Sequence, residues 1–136
     1  MRNVFVFLLL SVSLKVVLGA IELPEHLKGP AKILRKTCQA EVNVSDDLIE
    51  KSKNGYLPEN KELQCYIDCL FRTVGLYDDK GNIIFDEVAH LIPIEIKEKL
   101  DAVSAKCKTI HGSNKCETAW LTVKCYFEAD PEVNVI

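Results

Sequence analysis

Six cysteines, Cys38, Cys65, Cys69, Cys107, Cys116 and Cys125, are the residues of this 136-residue chain with the most chemistry in them. A thiolate can attack, ligate a metal or pair with another sulfur, and the compartment decides which. The chain opens with Arg2, the run Val4-Phe5-Val6-Phe7-Leu8-Leu9-Leu10 and the small residues Gly19 and Ala20. That pattern reads as a secretory signal peptide over residues 1–20, cleaved after Gly19 or Ala20, and Lys15 interrupts the apolar stretch too early for a spanning anchor. All six cysteines lie beyond it, so residues 21–136 should form one exported domain in which an even cysteine count makes three disulfides. Free thiolates for a metal site are disfavoured there, and neither metal nor cofactor is expected.

The remaining reactive residues assemble no catalytic constellation. His26, His90 and His111 are dispersed, and none stands beside Cys65 or Cys69 as a helical secreted phospholipase would require. The turn Asp78-Asp79-Lys80-Gly81-Asn82 has Gly at its fourth position and Ala89 at its twelfth, which is not the pattern of a helix-loop-helix calcium loop. The chain is therefore read as a non-enzyme. Without Arg2 and Lys15, 15 basic residues face 20 acidic ones, a net charge of about −5 with the basic residues scattered. Nucleic acid is excluded as a partner by that balance, and no later apolar run is long enough to span a membrane.

The elements that must position the cysteines are helices. Pro24 suits a first turn, and the segment from Glu25 to about Ala40 is helical, with Gly29-Pro30 expected to bend or restart it. Ser45 caps a short second helix that Asn54-Gly55 closes, and Asn60 caps a third running to Val74. On that third helix Leu63, Ile67, Leu70, Phe71 and Val74 form one stripe, and Gly75 stops it. A short helix starts at Asp86, and Pro93 fits the first turn of a fifth whose apolar line is Ile92, Ile96, Leu100 and Val103. Asn114 and Glu117 have capping-box spacing for a sixth helix to about Ala129, with Trp120, Val123 and Phe127 aligned. The fold class is all-α, about six helices.

Helix geometry constrains the pairing. Cys116 and Cys125 lie about 180° apart around one helix and roughly 13.5 Å apart along it, so they cannot bond. Cys65 and Cys69 share a face with parallel side chains, so each ties the third helix to a different element. Ten of the fifteen connectivities stay open. Each staple contributes about 2–4 kcal/mol, comparable to the net stability of a small domain, so a stapled shell can tolerate an under-packed centre.

The cysteine intervals of 26, 3, 37, 8 and 8 residues resemble those of the insect odorant-binding proteins, the pheromone and general odorant-binding family. Cys65-Tyr66-Ile67-Asp68-Cys69-Leu70-Phe71 is similar to that family's C-Y-x-x-C-L-F run, Asp78-Asp79-Lys80-Gly81-Asn82 to its D-D-x-G turn, and Cys125-Tyr126 with Ala129-Asp130-Pro131 to its ending. The resemblance implies six helices around one apolar cavity and the disulfides Cys38–Cys69, Cys65–Cys116 and Cys107–Cys125. It also implies reversible binding of small hydrophobic odorants or pheromones, carriage through the lymph of a sensory hair, contact with an olfactory receptor, pH-dependent release and, as a further partner, a second copy in a homodimer.

Inward helical faces together with that resemblance nominate a ligand-binding set. It comprises Leu70, Phe71 and Val74; Phe85, Val88, Ala89 and Ile92; Ile96, Leu100 and Val103; and Trp120 and Val123. Ser104 is added as a donor to a ligand oxygen. The resemblance further implies that the apolar tail, Val133, Val135 and Ile136, folds over the cavity as a wall held by hydrogen bonds that acid breaks. The family's basic residue just before the first cysteine is missing: Thr37 stands adjacent to Cys38, and Arg35 two residues further back. The competing reading is a secreted helical signalling, salivary or venom protein in which the same stripes form a solid core. Asn43-Val44-Ser45 is in addition a glycosylation sequon.

Overall fold

A computed structural model describes residues 24–136, so the leader expected over residues 1–20 lies outside the described residues. The fold is organised around α3 (Lys61–Thr73), whose apolar positions surround the axis on more than one side. Leu63, Tyr66, Ile67, Leu70 and Phe71 are all buried along it. A helix buried on several faces needs several partners. It packs most extensively on α5 (Lys115–Ala129) and next on α1 (Glu25–Val42), while α4 (Ile94–Cys107) lies against α5. Between them α2 (Asp46–Lys53) and a short 3-10 helix (Asp86–Leu91) complete an all-α fold, with six helical segments among the described residues; the one β-type contact among them is the isolated bridge between Tyr77 and Ile83.

The helix starts follow local chemistry. Ser45 Oγ accepts from the Leu48 amide at 3.2 Å, Asn60 Oδ1 from Leu63 at 2.8 Å and Asn114 Oδ1 from Glu117 at 2.9 Å, so each side chain satisfies an amide that the helix itself leaves unpaired. Gly55 ends the α2 turn at φ +89°, and a Cβ there would lie 2.0 Å from the Phe127 ring. Only glycine fits both demands.

Two local expectations are corrected. Gly29-Pro30 does not restart a helix: α1 is continuous with Pro30 inside it. Pro30 is exposed near the helix start, so the single carbonyl deprived of a partner can turn to water. Pro93 is the N-cap of α4 rather than part of its first turn, which leaves Ile92 outside that helix as the C-cap of the 3-10 segment.

The sulfurs join Cys38 to Cys69, Cys65 to Cys116 and Cys107 to Cys125, with Cα separations of 5.6, 4.4 and 5.9 Å. One link therefore ties α1 to α3, one α3 to α5 and one α4 to α5. Four helices become a single frame. The segment between α4 and α5 is stitched to it by buried or half-buried hydroxyls: Thr122 Oγ1 accepts from Ile110, Thr118 Oγ1 from Gly112, and Thr109 Oγ1 from Ile83. Neither the 3-10 helix nor the tail after Ala129 carries a disulfide.

Candidate functional site

The frame encloses a cavity of about 640 Å3 between α1, α3, the 3-10 helix, the start of α4 and the tail. That size is within the range of pockets that hold small organic molecules. Leu70, Phe71 and Val74 of α3 form one wall, Phe85, Val88 and Ile92 the opposite one, Ile96 and Leu100 of α4 close one end, and Val135 and Ile136 lie across it. Phe85 is held in place edge-on to Phe71, with centroids 6.3 Å apart, and leans on Tyr126 at 6.1 Å. Val74 and Leu91 line the cavity yet stay exposed at 40% and 41%, which marks where it opens to solvent.

Ten of the nominated residues thus meet at one space. Six do not. Trp120 and Val123 are buried in the core cluster that joins α5 to α3 and do not line the cavity. Val103 and Val133 pack with Leu100, Cys107 and Tyr126 in a second cluster beneath it. Ala89 and Ser104 line a smaller recess of about 180 Å3 that shares Phe85, Ile92 and Leu100 with the cavity, and the Ser104 hydroxyl is already paired with Tyr126 Oη at 3.3 Å. Burial pushes the Tyr126 phenol above its ordinary pKa, and the Ser104 contact pulls it part of the way back. Trp120, Val123, Val103 and Val133 thus meet other side chains rather than open volume, and Ala89 and Ser104 meet the smaller recess.

Sequence reasoning missed a wall. Leu27, Ala31 and Leu34 of α1 line the cavity, together with Leu76, Leu91 and Pro93. The signal was present, since positions 27, 31 and 34 recur at the four- and three-residue spacing of an apolar stripe.

The polar residues at the cavity are also unforeseen. Lys28, Arg35, Lys53 and Asn134 border it. Arg35 Nη2 donates to the main-chain oxygen of Ile136 at 3.2 Å, while Thr37 bonds back to Ile33 on its own helix. Asn134 Nδ2 donates to the Lys53 carbonyl at 2.7 Å and its Oδ1 accepts from the Ile136 amide at 3.0 Å. Further up the tail, Glu132 is ion-paired with Lys99 of α4. The tail is therefore attached by polar bonds along one edge and by Val133, Val135 and Ile136 underneath.

A disulfide-stapled helical shell around an apolar cavity is the architecture of a small-ligand carrier. The family comparison gives that class its membership: residues 20–129 match the model of the PBP/GOBP family, and the chain belongs to it. General odorant-binding protein 69a of Drosophila melanogaster is 32% identical over 107 residues, covering 78% of this chain and 72% of that one. Among solved structures, odorant binding protein 7 of Anopheles gambiae, which has four disulfide bridges and was solved in complex with an azo compound, superposes with a TM-score of 0.74 at 38% identity, over 82% of this chain and 92% of that one. A fatty acid binding protein, OBP56a, from the oral disk of the blowfly Phormia regina superposes with a TM-score of 0.64 at 28% identity, over 82% of this chain and 98% of that one. These relatives are non-enzymatic carriers, and family members are secreted. Among the described residues no helix is long and apolar enough to cross a membrane.

Proposed function

We propose that this chain is an exported carrier that binds small hydrophobic odorants, pheromones or related molecules reversibly in the 640 Å3 cavity and carries them through aqueous lymph to membrane receptors. The observation that carries the reading is the cavity itself: a space of this size walled by apolar side chains and reached from solvent suits a small apolar molecule, and a signalling or venom protein on this scaffold needs no such space. The ligand contacts are Leu70, Phe71, Val74, Phe85, Val88, Ile92, Ile96, Leu100, Val135 and Ile136, joined by Leu27, Ala31 and Leu34. A ligand of roughly 12–16 heavy atoms at about 0.3–0.6 kcal/mol each binds in the micromolar region.

Residues 1–20 act as the export signal and residues 21–136 as the mature domain; mass spectrometry of the secreted protein reads the cut directly. The tail is the lid. Release on acidification then follows from weakening of its ties, and the charged groups around it are Arg35, Lys53 and the Lys99–Glu132 pair. Displacement of a fluorescent apolar probe at pH 7 and pH 5 tests both parts. The full chain takes up the probe at neutral pH and releases it in acid, and removal of residues 133–136 abolishes the difference. A folded, fully oxidised protein that takes up no probe is not a carrier.

A further inference from the structure

We propose that Asn43 is a glycosylation site, and that the exported protein carries an asparagine-linked glycan at the corner between α1 and α2, away from the ligand cavity. The proposal rests on the export reading, because only a chain that enters the secretory pathway meets the transferase and its sugar donor. Asn43-Val44-Ser45 is the one Asn-x-Ser/Thr triplet of the sequence. The structure sets Asn43 apart a second time. Asn54, Asn60, Asn82, Asn114 and Asn134 each commit a side-chain atom to a hydrogen bond within the protein. Asn43 is exposed, and among the described residues its side chain makes no hydrogen bond.

Other groups hold the corner. The backbone of Asn43 ends α1 in the left-handed region, at φ +57° and ψ +41°, and its N–H donates to the Gln39 carbonyl at 2.8 Å. Glycine would make that turn at a lower conformational cost, so the turn by itself does not call for an asparagine. The Gln39 side chain clasps the next residues, donating to the Val44 carbonyl at 3.3 Å and to the Asp46 carboxylate at 2.5 Å. The Asn43 amide is left free for a covalent attachment. In the transfer its Nδ2 attacks the anomeric carbon of a lipid-linked oligosaccharide pyrophosphate. A C–N bond forms, the C–O bond to the pyrophosphate breaks with its electron pair leaving on that group, and one amide proton passes to a base of the transferase. Recognition needs an extended triplet with a free Ser45 hydroxyl, whereas in the folded chain that hydroxyl accepts from the Leu48 amide and Val44 is buried. Attachment therefore precedes formation of α2, and Ser45 serves first in recognition and then as a cap. Arg35 is the last residue of α1 to line the cavity, and Asn43 lies about 12 Å further along the axis. The glycan thus sits beyond the cavity-lining part of α1.

The test is expression of the full chain in an insect cell line, with mass spectrometry of the secreted protein and of its tryptic peptide 37–51. The peptide is expected to carry added mass in whole hexose and N-acetylhexosamine units, and enzymatic release of the glycan should leave aspartate at position 43. Asn43→Gln should abolish the modification. Ser45→Asp should abolish it while keeping a cap on α2, and Ser45→Thr should retain both glycan and cap. Asn43→Gln should bind a fluorescent apolar probe as tightly as the glycosylated protein does; if that variant fails to fold, Ser45→Asp carries the same comparison. A secreted, fully oxidised protein whose peptide 37–51 is unmodified overturns the proposal and leaves the export and carrier readings intact. Carbohydrate that persists in both Asn43→Gln and Ser45→Asp overturns it too. Weaker probe binding by the glycosylated protein overturns the placement away from the cavity. Retention of the whole chain inside the cells, with residues 1–20 uncleaved, removes the export reading and the glycan together.

Discussion

α3 and the wall across the cavity from it are built on opposite terms. α3 packs on α5, where Ile67 is buried in one core cluster with Ala119, Trp120 and Val123 and the Cys65–Cys116 link joins the two helices. The wall across the cavity is a 3-10 helix with no buried residue and no side-chain cap. Stability and binding are thereby separated in space. Close packing and covalent links on the frame supply the net stability, so the far wall can remain loosely supported around a space that a ligand fills.

The severest way to break this division is to remove the staple. Replacing Cys65 and Cys116 together by serine should lower stability by about 4 kcal/mol, as expected for a link closing a 51-residue interval, and urea unfolding measures it. Ile67→Ala should cost about 3 kcal/mol in the same assay, because a fully buried side chain leaves a void against α5. It should leave ligand affinity unchanged under conditions where the variant is folded, since Ile67 does not line the cavity. Gly55→Ala follows at about 2 kcal/mol, the sum of a left-handed backbone and a displaced Phe127 ring.

Alkaline titration sharpens the comparison further. Tyr66, Tyr77 and Tyr126 all lie on the frame or directly beside it, and burial raises each phenol, helped at Tyr77 by the hydrogen bond to Asp68 at 2.7 Å. A group whose pKa is raised on folding contributes stability that is complete below its unfolded value, about 10 for tyrosine, and is lost as pH climbs above it. Stability should hold level up to about pH 10 and then fall, with a slope approaching about 1.4 kcal/mol per pH unit for each tyrosine kept protonated. A probe on the 3-10 helix should report no earlier transition. The smallest effect on stability comes from the loose wall: Val88→Ala should cost under about 1 kcal/mol in folding yet weaken ligand binding by roughly fivefold, the loss of about 1 kcal/mol of apolar contact. If Val88→Ala destabilises as much as Ile67→Ala, the division is wrong.

Much of this was legible in the residues because the determinants are local. Ser45, Asn60 and Asn114 cap the helices that their side chains announce, and Gly55 and Gly75 stop them, since capping and left-handed turns depend on a few neighbouring atoms. Pro30 was misjudged for the same reason in reverse: a proline's local cost is fixed, but whether the chain tolerates it depends on the packing of the whole helix.

The cysteines, their even number and their place beyond the apolar N-terminal run were enough to expect a stapled domain, and their spacing excluded pairs within one helix. Only the tertiary structure decided which apolar stripes meet a solid partner and which meet open space. Periodicity records that a face is hidden from water, and Trp120 and Leu70 satisfy that condition equally. One ends in the packed core between α3 and α5, and the other also borders a cavity shared with Leu27, Leu34 and Arg35, because α1 packs on α3 as well as α5 does and leaves that space between.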